Sequence, residues 1–177
     1  MGFGTIFTTI VFVVIISITS YMFITGTMFS MDTLSNSLKK MNEIDNAMLK
    51  TGIEIVNVSA TNKSELSEIN VSIDNTGTTK ILNSNFRHID VFIHYNAMGT
   101  GNTMKWIPYN NTECGALQNN EWTVGGISPD LANPRIFDPD EEMKIFIRVY
   151  PAIEENSTNW INVVMPNGVS ASRYFQY

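Results

Sequence analysis

FGTIFTTIVFVVIISITSYMFITGTMF, residues 3–29, contains no charged side chain, and the first ionised residue that follows it is Asp32. A helix of this length rises about 40 Å at 1.5 Å per residue, enough to cross a hydrocarbon core of about 30 Å. A buried helix of a soluble domain is the alternative, but such helices rarely exceed about 20 residues without a polar face. We therefore predict a membrane-spanning helix. Its anchor residues are Phe3, Ile6, Phe7, Ile10, Val13, Val14, Ile18 and Tyr21.

This segment differs from a cleavable secretory signal. Such a signal has a basic N-terminal region and an apolar core of about 7–15 residues. Met1, Gly2 and Phe3 include no Lys or Arg, and the apolar run is about twice as long as that core. We expect the helix to be retained as a single-pass anchor. The flanking charges are balanced, so they do not assign the domain to one side of the membrane.

Residues 32–50 have an amphipathic pattern, in which apolar side chains recur at steps of three and four. This is the spacing of one helical face. We predict that the membrane helix continues as a stalk and stops at Gly52, because glycine commonly follows a helix C-terminus. The apolar face either contacts the chain's own domain or pairs with another helix. Its interface residues are Leu34, Leu38, Met41 and Met48.

After Gly52 the apolar period changes from about 3.6 to 2 residues, which indicates strands. We predict seven or eight short strands with no helix between them. They lie near residues 53–59, 69–74, 89–95, 104–109, 121–124, 143–149, 159–164 and 169–177. Such strands favour two packed antiparallel sheets of immunoglobulin-like type. The predicted fold is mainly β: a transmembrane helix and stalk over residues 1–51, then an antiparallel β-sandwich domain over residues 52–177.

The composition excludes several functions. The net charge is −6, and nucleic-acid binding requires a basic surface instead. Cys114 is the only cysteine, so no disulfide can form within the chain. No nucleotide-binding fingerprint or nucleophile motif occurs in the sequence. We therefore expect no enzyme activity, no cofactor and no nucleic-acid partner.

Asp138, Asp140 and Glu141 form the one dense group of carboxylates. Hard cations such as Ca²⁺ bind clustered carboxylate oxygens, so these residues are weak candidates for a metal site. We favour a turn that leads into the strand at 143–149, because the spaced pattern of an EF-hand loop is missing. We expect no metal.

Five Asn-x-Ser/Thr sequons occur after Gly52, whereas composition alone predicts about two. The excess favours an outward-facing, glycosylated domain, although some of these residues can be ordinary turn asparagines. The candidate glycosylation sites are Asn57, Asn62, Asn70, Asn110 and Asn156.

Trp106, Trp122 and Trp160 are either core residues or an interface patch, and the core is the default for strand aromatics. For a partner surface we expect an edge strand or the loop at residues 96–120, because β-sandwich proteins bind through these features.

Several short motifs resemble the archaellum (archaeal flagellum) accessory proteins of the FlaF/ArlF family, within the archaeal type IV pilin-like superfamily. The chain begins MGFG before its apolar run, and INVSIDNTGT at residues 69–78 is similar to the family's Asn-x-Gly-Thr turn. VMPNGVSAS at residues 164–172 is similar to its last hairpin. FDPDE at residues 137–141 stands where a Pro-Gly-Glu turn is usual, and here Asp140 replaces the glycine.

The resemblance implies a non-enzymatic, static component of the archaellum motor, needed for swimming motility. The helix would lie in the archaeal cell membrane and the sandwich in the pseudoperiplasm. There the domain would bind the S-layer protein, FlaG and other archaellum components, as a homodimer or hetero-oligomer, and act as a stator. The alternative is an archaellin or type IV pilin-like subunit, packed by its helix into a filament. No basic residue precedes Gly2 or Gly4 and no acidic residue lies near position 5, which counts against the filament subunit.

Overall fold

A computed structural model describes residues 2–131 and 133–177. One continuous α-helix, α1, covers Phe3–Lys50. It includes both the apolar run and the segment at 32–50, so the prediction of a single long helix is confirmed. By length and composition α1 is long and apolar enough to cross a membrane. The predicted anchor residues are between 50% and 85% exposed on its surface.

Most serine and threonine hydroxyl groups within the apolar part of α1 bond to the helix's own backbone. Thr8 Oγ1 donates to the Gly4 carbonyl at 2.8 Å, and Ser17 Oγ donates to the Val13 carbonyl at 2.8 Å. Such bonds to the preceding turn satisfy polar groups where no water is present. The helix surface therefore stays apolar despite its serines and threonines.

Eight antiparallel strands follow the helix. They are β1 Ile53–Lys63, β2 Leu66–Asn75, β3 Asp90–Ala97, β4 Gly101–Ile107, β5 Glu121–Ser128, β6 Glu142–Val149, β7 Thr158–Val164 and β8 Ser170–Gln176. The first sheet has the order β1-β2-β6-β5, and the second sheet has the order β4-β3-β7-β8. The predicted antiparallel β-sandwich is confirmed.

The core lies between the two sheets and is built from alternate residues of each strand. Ile69 and Ile73 of β2, and Val91 and Ile93 of β3, are each 0% exposed. Alternation follows from the pleat, which turns successive side chains to opposite faces. The two sheets therefore bury one face each and leave one outer face each.

Some boundaries differ from the predicted ones. β1 continues to Lys63, past its predicted end near residue 59, because the chain turns only at Ser64, where φ is +59°. β5 extends to Ser128 through two glycines that read as loop, since β6 supplies its hydrogen bonds. Two short 3₁₀ helices, Asn83–His88 and Cys114–Ala116, interrupt the predicted all-strand domain. Each is too short to produce a helical period in the sequence.

The chain divides into two compact units, one up to Asp45 and one covering Asn46–Tyr177. The second unit therefore includes the last turn of α1 as well as the sandwich. The boundary falls before the change of apolar period at Gly52, because tertiary contacts hold residues 46–52 to the sandwich.

Candidate functional site

The end of α1 is bound by a turn that follows β2. The amides of Thr78 and Thr79 donate to the Lys50 carbonyl at 2.7 and 3.2 Å. The amides of Thr76 and Gly77 donate to the Gly52 carbonyl at 3.0 and 3.1 Å. The last carbonyls of a helix have no partner within it, so this turn caps the helix from the sandwich. We call residues 47–52, 75–79 and 166–168 the junction.

Asn75 fixes the shape of this turn and is 1% exposed. Its Nδ2 donates to the carbonyls of Thr79 at 3.0 Å and Phe137 at 3.2 Å, and its Oδ1 accepts from the Gly77 amide at 3.2 Å. An asparagine that bonds the backbone two residues on forms an Asx turn. The asparagine of the Asn-x-Gly-Thr motif is therefore a structural residue of the junction.

Gly77 is required because two backbone segments touch at this point. A Cβ at Gly77 would lie 2.6 Å from the Lys50 carbonyl oxygen and 2.9 Å from the Thr51 carbonyl carbon, and it would lie even closer to the Gly52 amide nitrogen. All three neighbours are backbone atoms, which cannot rotate away. Only glycine permits so close an approach.

The turn between β7 and β8 holds the helix end from another direction. Asn167 Nδ2 donates to Thr51 Oγ1 at 2.8 Å and to the Ala47 carbonyl at 3.3 Å. Gly168, next in the chain, has φ +88°, a conformation that favours glycine. The Pro-Asn-Gly motif therefore forms both a tight turn and a clamp on the last turn of α1.

The carboxylates at residues 138–141 build a turn that supports Asn75. Glu141 Oε2 accepts from the Asp138 amide at 2.9 Å, and Asp138 Oδ2 accepts from Asn133 Nδ2 at 2.8 Å. The Asp140 amide donates to the Asn75 carbonyl at 2.9 Å. Among residues 2–131 and 133–177, no group of three or more His, Cys, Asp or Glu side chains is placed to hold a metal ion. The geometry assigns these residues to the turn.

The conformation of Asp140 explains how the chain can form this turn without the glycine of the usual Pro-Gly-Glu sequence. Its φ is +62°, in the left-handed region. Glycine adopts this region freely, and Asp and Asn adopt it more readily than other residues. Pro139-Asp140-Glu141 can therefore form the same turn.

The three motifs that are far apart in sequence thus meet at one place. Residues 69–78, 137–141 and 164–172 all contribute turns at or beside the junction. Sequence reasoning recognised each motif but not their convergence. The sequence signal for this site is the repeated Asn and Gly at turns. It does not show which residues each turn contacts.

The outer face of the first sheet carries several charged side chains. Glu68 Oε2 pairs with Lys63 at 2.6 Å and Glu68 Oε1 pairs with Arg148 at 2.9 Å, and these bonds lower the pKa of the Glu68 carboxyl. Asp74 lies between Glu54 and Glu142 in one cross-strand row. Burial, and then these two carboxylates, raise the pKa of Asp74.

The outer face of the second sheet is aromatic instead. Trp106, Met104 and Tyr174 are 56%, 62% and 73% exposed on this face. Trp160 lies beside Tyr174 in the pairing of β7 with β8 and is half-buried. The edge strand β4 belongs to the predicted contact region at residues 96–120, and the location of a partner surface there stays a prediction.

The default assignment of the tryptophans to the core is right for one of the three. Trp122 is 0% exposed, and its ring centroid lies 4.8 Å from that of Tyr109. Trp106 and Trp160 face outward on the second sheet. The indole Nε1 of Trp106 donates to Asp90 Oδ1 at 2.9 Å.

The five sequon asparagines have different surroundings. Asn57 and Asn156 are exposed, and Asn70 is half-buried on the outer face of the first sheet. Asn62 Nδ2 donates to the Ile153 carbonyl at 2.9 Å, and Asn110 Nδ2 donates to Glu121 Oε2 at 2.8 Å. Attachment of a glycan at the last two would break these bonds, so glycosylation is proposed first for Asn57 and Asn156.

Two further sets of residues were singled out by sequence. Burial and the nearby Glu113 and Glu68 carboxylates raise the pKa of the Cys114 thiol, which disfavours the reactive thiolate.

The stalk residues are between 39% and 60% exposed on α1, and their role as a helix interface stays a prediction. They are Leu34, Leu38, Met41 and Met48.

Comparison with solved structures shows proteins of similar fold. The archaeal flagellum of Methanospirillum hungatei strain JF1 is 12% identical with a TM-score of 0.53, and the alignment covers 99% of this chain and 93% of that one. The archaellum periplasmic stator protein FlaG from Sulfolobus acidocaldarius is 23% identical with a TM-score of 0.49, over 71% of this chain and 99% of that one. The periplasmic stator complex of FlaF and FlaG from the same organism is 23% identical with a TM-score of 0.48, over 70% and 87%.

The family assignment comes from the sequence. No curated protein matches the chain. The family model described as archaeal-type flagellin matches residues 2–175, nearly the whole chain. The relationship to archaellum proteins that the motifs indicate is therefore confirmed. This protein belongs to the archaeal-type flagellin family.

Proposed function

We propose that this archaellum-related protein is a non-enzymatic stator, anchored in the archaeal cell membrane by α1, with its sandwich in the pseudoperiplasm. The observation that carries the proposal is the junction. Backbone bonds and the Asn167 side chain hold the last turn of α1 to the sandwich. The helix is unbroken from Phe3 to Lys50. A static component must pass load from a bound partner to its membrane anchor, and a hydrogen-bonded helix end does this better than a flexible linker.

The partners that we propose are the S-layer protein and a FlaG-type archaellum protein. The motif resemblance at residues 69–78 and 164–172 supports them. A sandwich that binds a fixed layer outside the membrane would hold the motor against the torque of the filament. This role requires surfaces for binding and no catalytic site.

A filament subunit is the second candidate. It is favoured by the archaeal-type flagellin family itself and by the fold shared with the Methanospirillum hungatei flagellum over 99% of this chain. In that role α1 would pack against copies of itself in the filament core. The apolar surface of α1 suits either environment, so location in the cell separates the two candidates.

The test is fractionation of cells that express the full chain with a C-terminal tag. We expect the chain to stay in the membrane fraction after filaments are sheared off, and external protease to remove the tag from spheroplasts. Deletion of the gene should leave cells that assemble filaments but do not swim. Recovery of the chain as a major component of sheared filaments would overturn the stator proposal in favour of the subunit.

The S-layer part needs its own measurement. Full-length protein in detergent should retain purified S-layer protein on a tag-affinity column, and a chain cut after the stalk should not. A folded full-length chain that retains no S-layer protein would refute this part while leaving the membrane location intact.

A further inference from the structure

The edge strand β5 of the first sheet is covered on its open side at one point. It is the last strand in the order β1-β2-β6-β5, and β6 pairs with its other side. The Trp122 amide donates to the Pro108 carbonyl at 3.0 Å, and the Trp122 carbonyl accepts from the Asn110 amide at 2.8 Å. After Asn110 the chain leaves the edge for the loop that contains Cys114–Ala116.

Two later residues of β5 direct their backbone groups to the same open side. In an antiparallel ladder, residue pairs alternate between those that exchange hydrogen bonds and those whose backbone groups point away from each other. Trp122 points away from β6, because its amide and carbonyl bond to the segment 108–110. Val124 and Ile127 point the same way, because all three lie opposite β6 residues that follow one another at steps of two. Among residues 2–131 and 133–177, no loop backbone group bonds to Val124 or Ile127. The β6 residues are Ile147, Ile145 and Met143.

The open side of β5 borders a groove of about 480 Å³, which we call the β5 groove. It is lined by the β5 edge from Thr123 to Ile127 and, from other parts of the chain, by Phe86 and Tyr109. A strand rises about 3.3 Å per residue, so this edge is about 13 Å long and can face about four residues of an added strand. The groove therefore offers both backbone groups and an apolar surface to an extended chain.

Two adjacent glycines line the β5 groove, and the fold requires only one of them. A Cβ at Gly125 would overlap the Phe146 ring, so glycine is needed where the ladder bulges. At Gly126 nothing lies within 4 Å of a Cβ, and its φ is not in the left-handed region. A glycine inside a strand often marks a place where another backbone approaches closely. The open space beside Gly126 is therefore available to an added strand.

The open edge is short because it is closed at both ends. The segment 108–110 covers Trp122, and Pro129, which has no amide hydrogen, follows the last residue of β5. Bulges and prolines are features that protect natural edge strands from unlimited pairing. The edge therefore suits one short peptide segment, whereas a long flat edge would pair with any strand.

The charges beside the groove favour a basic segment. Glu113 and Asp130 line the groove, and both are exposed. The Arg135 side chain also lines it, so the carboxylates outnumber the cations there, and the whole chain has a net charge of −6. Opposite charges across an interface favour association and like charges oppose it. A segment with lysine or arginine should therefore bind better than an acidic one.

We propose that the β5 groove binds an extended, basic peptide segment of another protein, which adds to the first sheet as a fifth strand. The backbone of this segment accepts from the amides of Val124 and Ile127 and donates to their carbonyls. In such strand addition, backbone bonds provide affinity and alternate side chains provide specificity. Here an aliphatic side chain would contact Phe86 and Tyr109. The inference goes beyond the proposed function, because it names the chemistry of a ligand and applies to a stator and to a filament subunit alike.

A synthetic peptide tests the proposal. The probe has the sequence Lys-Val-Thr-Val-Lys, with both ends blocked and a fluorophore attached through a linker. Fluorescence anisotropy with the full chain in detergent should show saturable binding below about 1 mM. The matched control peptide has the same side chains but carries N-methyl groups on its three central amides. Its dissociation constant should be at least about tenfold higher, because it lacks the donors that backbone pairing requires. Replacement of both lysines by glutamate should also weaken binding, about threefold or more.

Hydrogen exchange and two variants locate the bound peptide. Saturating probe should slow exchange of the Val124 and Ile127 amides about tenfold or more, whereas the amides of β4, the edge strand of the second sheet, should not change. Val124→Pro removes one donor without loss of a β6 bond, since proline is tolerated where the amide faces away from the sheet, and it should abolish probe binding. Gly126→Ala keeps every backbone group and should weaken binding while the unfolding midpoint stays the same. It replaces the proline variant if that variant does not fold.

The outcomes separate this inference from the proposed function. Equal affinity for the methylated peptide, or protection away from β5, would overturn strand addition. Absence of saturable binding up to about 1 mM would also overturn it. Slow exchange at Val124 and Ile127 without probe, relieved by dilution of the chain, would show that a second copy occupies the edge instead. Each of these results leaves the stator proposal intact, whereas recovery of the chain in sheared filaments refutes the stator and leaves the β5 groove untouched.

Discussion

Gly77→Ala would separate the two backbone segments that touch at the junction. The added Cβ would lie 2.6 Å from the Lys50 carbonyl oxygen. Nonbonded carbon and oxygen atoms normally stay more than about 3 Å apart. The turn must therefore move away from the end of α1. This movement breaks or lengthens the four amide bonds that the turn donates to Lys50 and Gly52.

The expected cost follows from those bonds. Each contributes about 0.5–1.5 kcal/mol net, and carbonyls left buried without a donor cost more. We expect a loss of about 3 kcal/mol, a large part of the about 5–15 kcal/mol that stabilises a typical domain. For a unit of this size the midpoint of thermal unfolding should fall by about 10 °C.

The assay is thermal unfolding of the full chain in detergent, with amide hydrogen exchange to locate the change. The amides of Thr78 and Thr79 should lose protection in Gly77→Ala. Gly126→Ala is the matched control, because nothing lies within 4 Å of a Cβ there. A Gly77→Ala unfolding midpoint equal to that of Gly126→Ala would refute the claim that close backbone approach requires this glycine.

Four further changes probe other contacts. Asn167→Ala removes both bonds to the helix end and should cost about 1–2 kcal/mol, with faster exchange at Thr51. Trp122→Ala empties a fully buried site and should cost about 3–5 kcal/mol in denaturant unfolding. Asp74→Asn should raise stability at neutral pH, because its raised pKa means that the charged form is disfavoured in the fold. Glu68→Gln should lower stability at neutral pH, because the lowered pKa of Glu68 gives a stabilisation that is lost as pH falls through that pKa. Equal shifts for these two variants would contradict the assigned signs.

The long helix and the sandwich were predictable because each depends on a local pattern. A charge-free run of this length and a period of two residues are both visible in a single sequence. The end of β1 and the extension of β5 were not, because partner strands supply the hydrogen bonds there. Gly125 and Gly126 resemble a loop, but β6 pairs with Val124 and Gly126 on either side of a bulge at Gly125.

β4 shows why side-chain direction was harder to predict than strand position. The alternation of apolar and polar residues along β4 predicts that Met104 and Trp106 are buried and that Lys105 is exposed. The structure reverses this, because pairing with β3 turns Lys105 and Ile107 inward. Lys105 Nζ reaches Asn120 Oδ1 at 3.0 Å at the margin of the sandwich, and burial lowers the pKa of this ammonium. The same pairing leaves Trp106 outside.

The junction was unpredictable for a different reason. Asn75, Asp140 and Asn167 are turn residues by local rules, and each lies in a recognised motif. The meeting of their turns beside the helix end depends on β2 and β7 ending, and β6 beginning, at one end of the sandwich. No local pattern carries that information.

The internal hydrogen bonds of the α1 hydroxyls affect how the chain is distributed between lipid and a bundle of helices. The hydroxyls of Thr8 and Ser17 need no water as an acceptor, because they already donate to carbonyls of the preceding turn. Transfer of such a helix from lipid to a bundle of like helices therefore exposes no new polar group and changes its solvation free energy little. α1 is therefore equally compatible with lipid and with a bundle of like helices. The proposed partners of the sandwich would then decide where the chain is located.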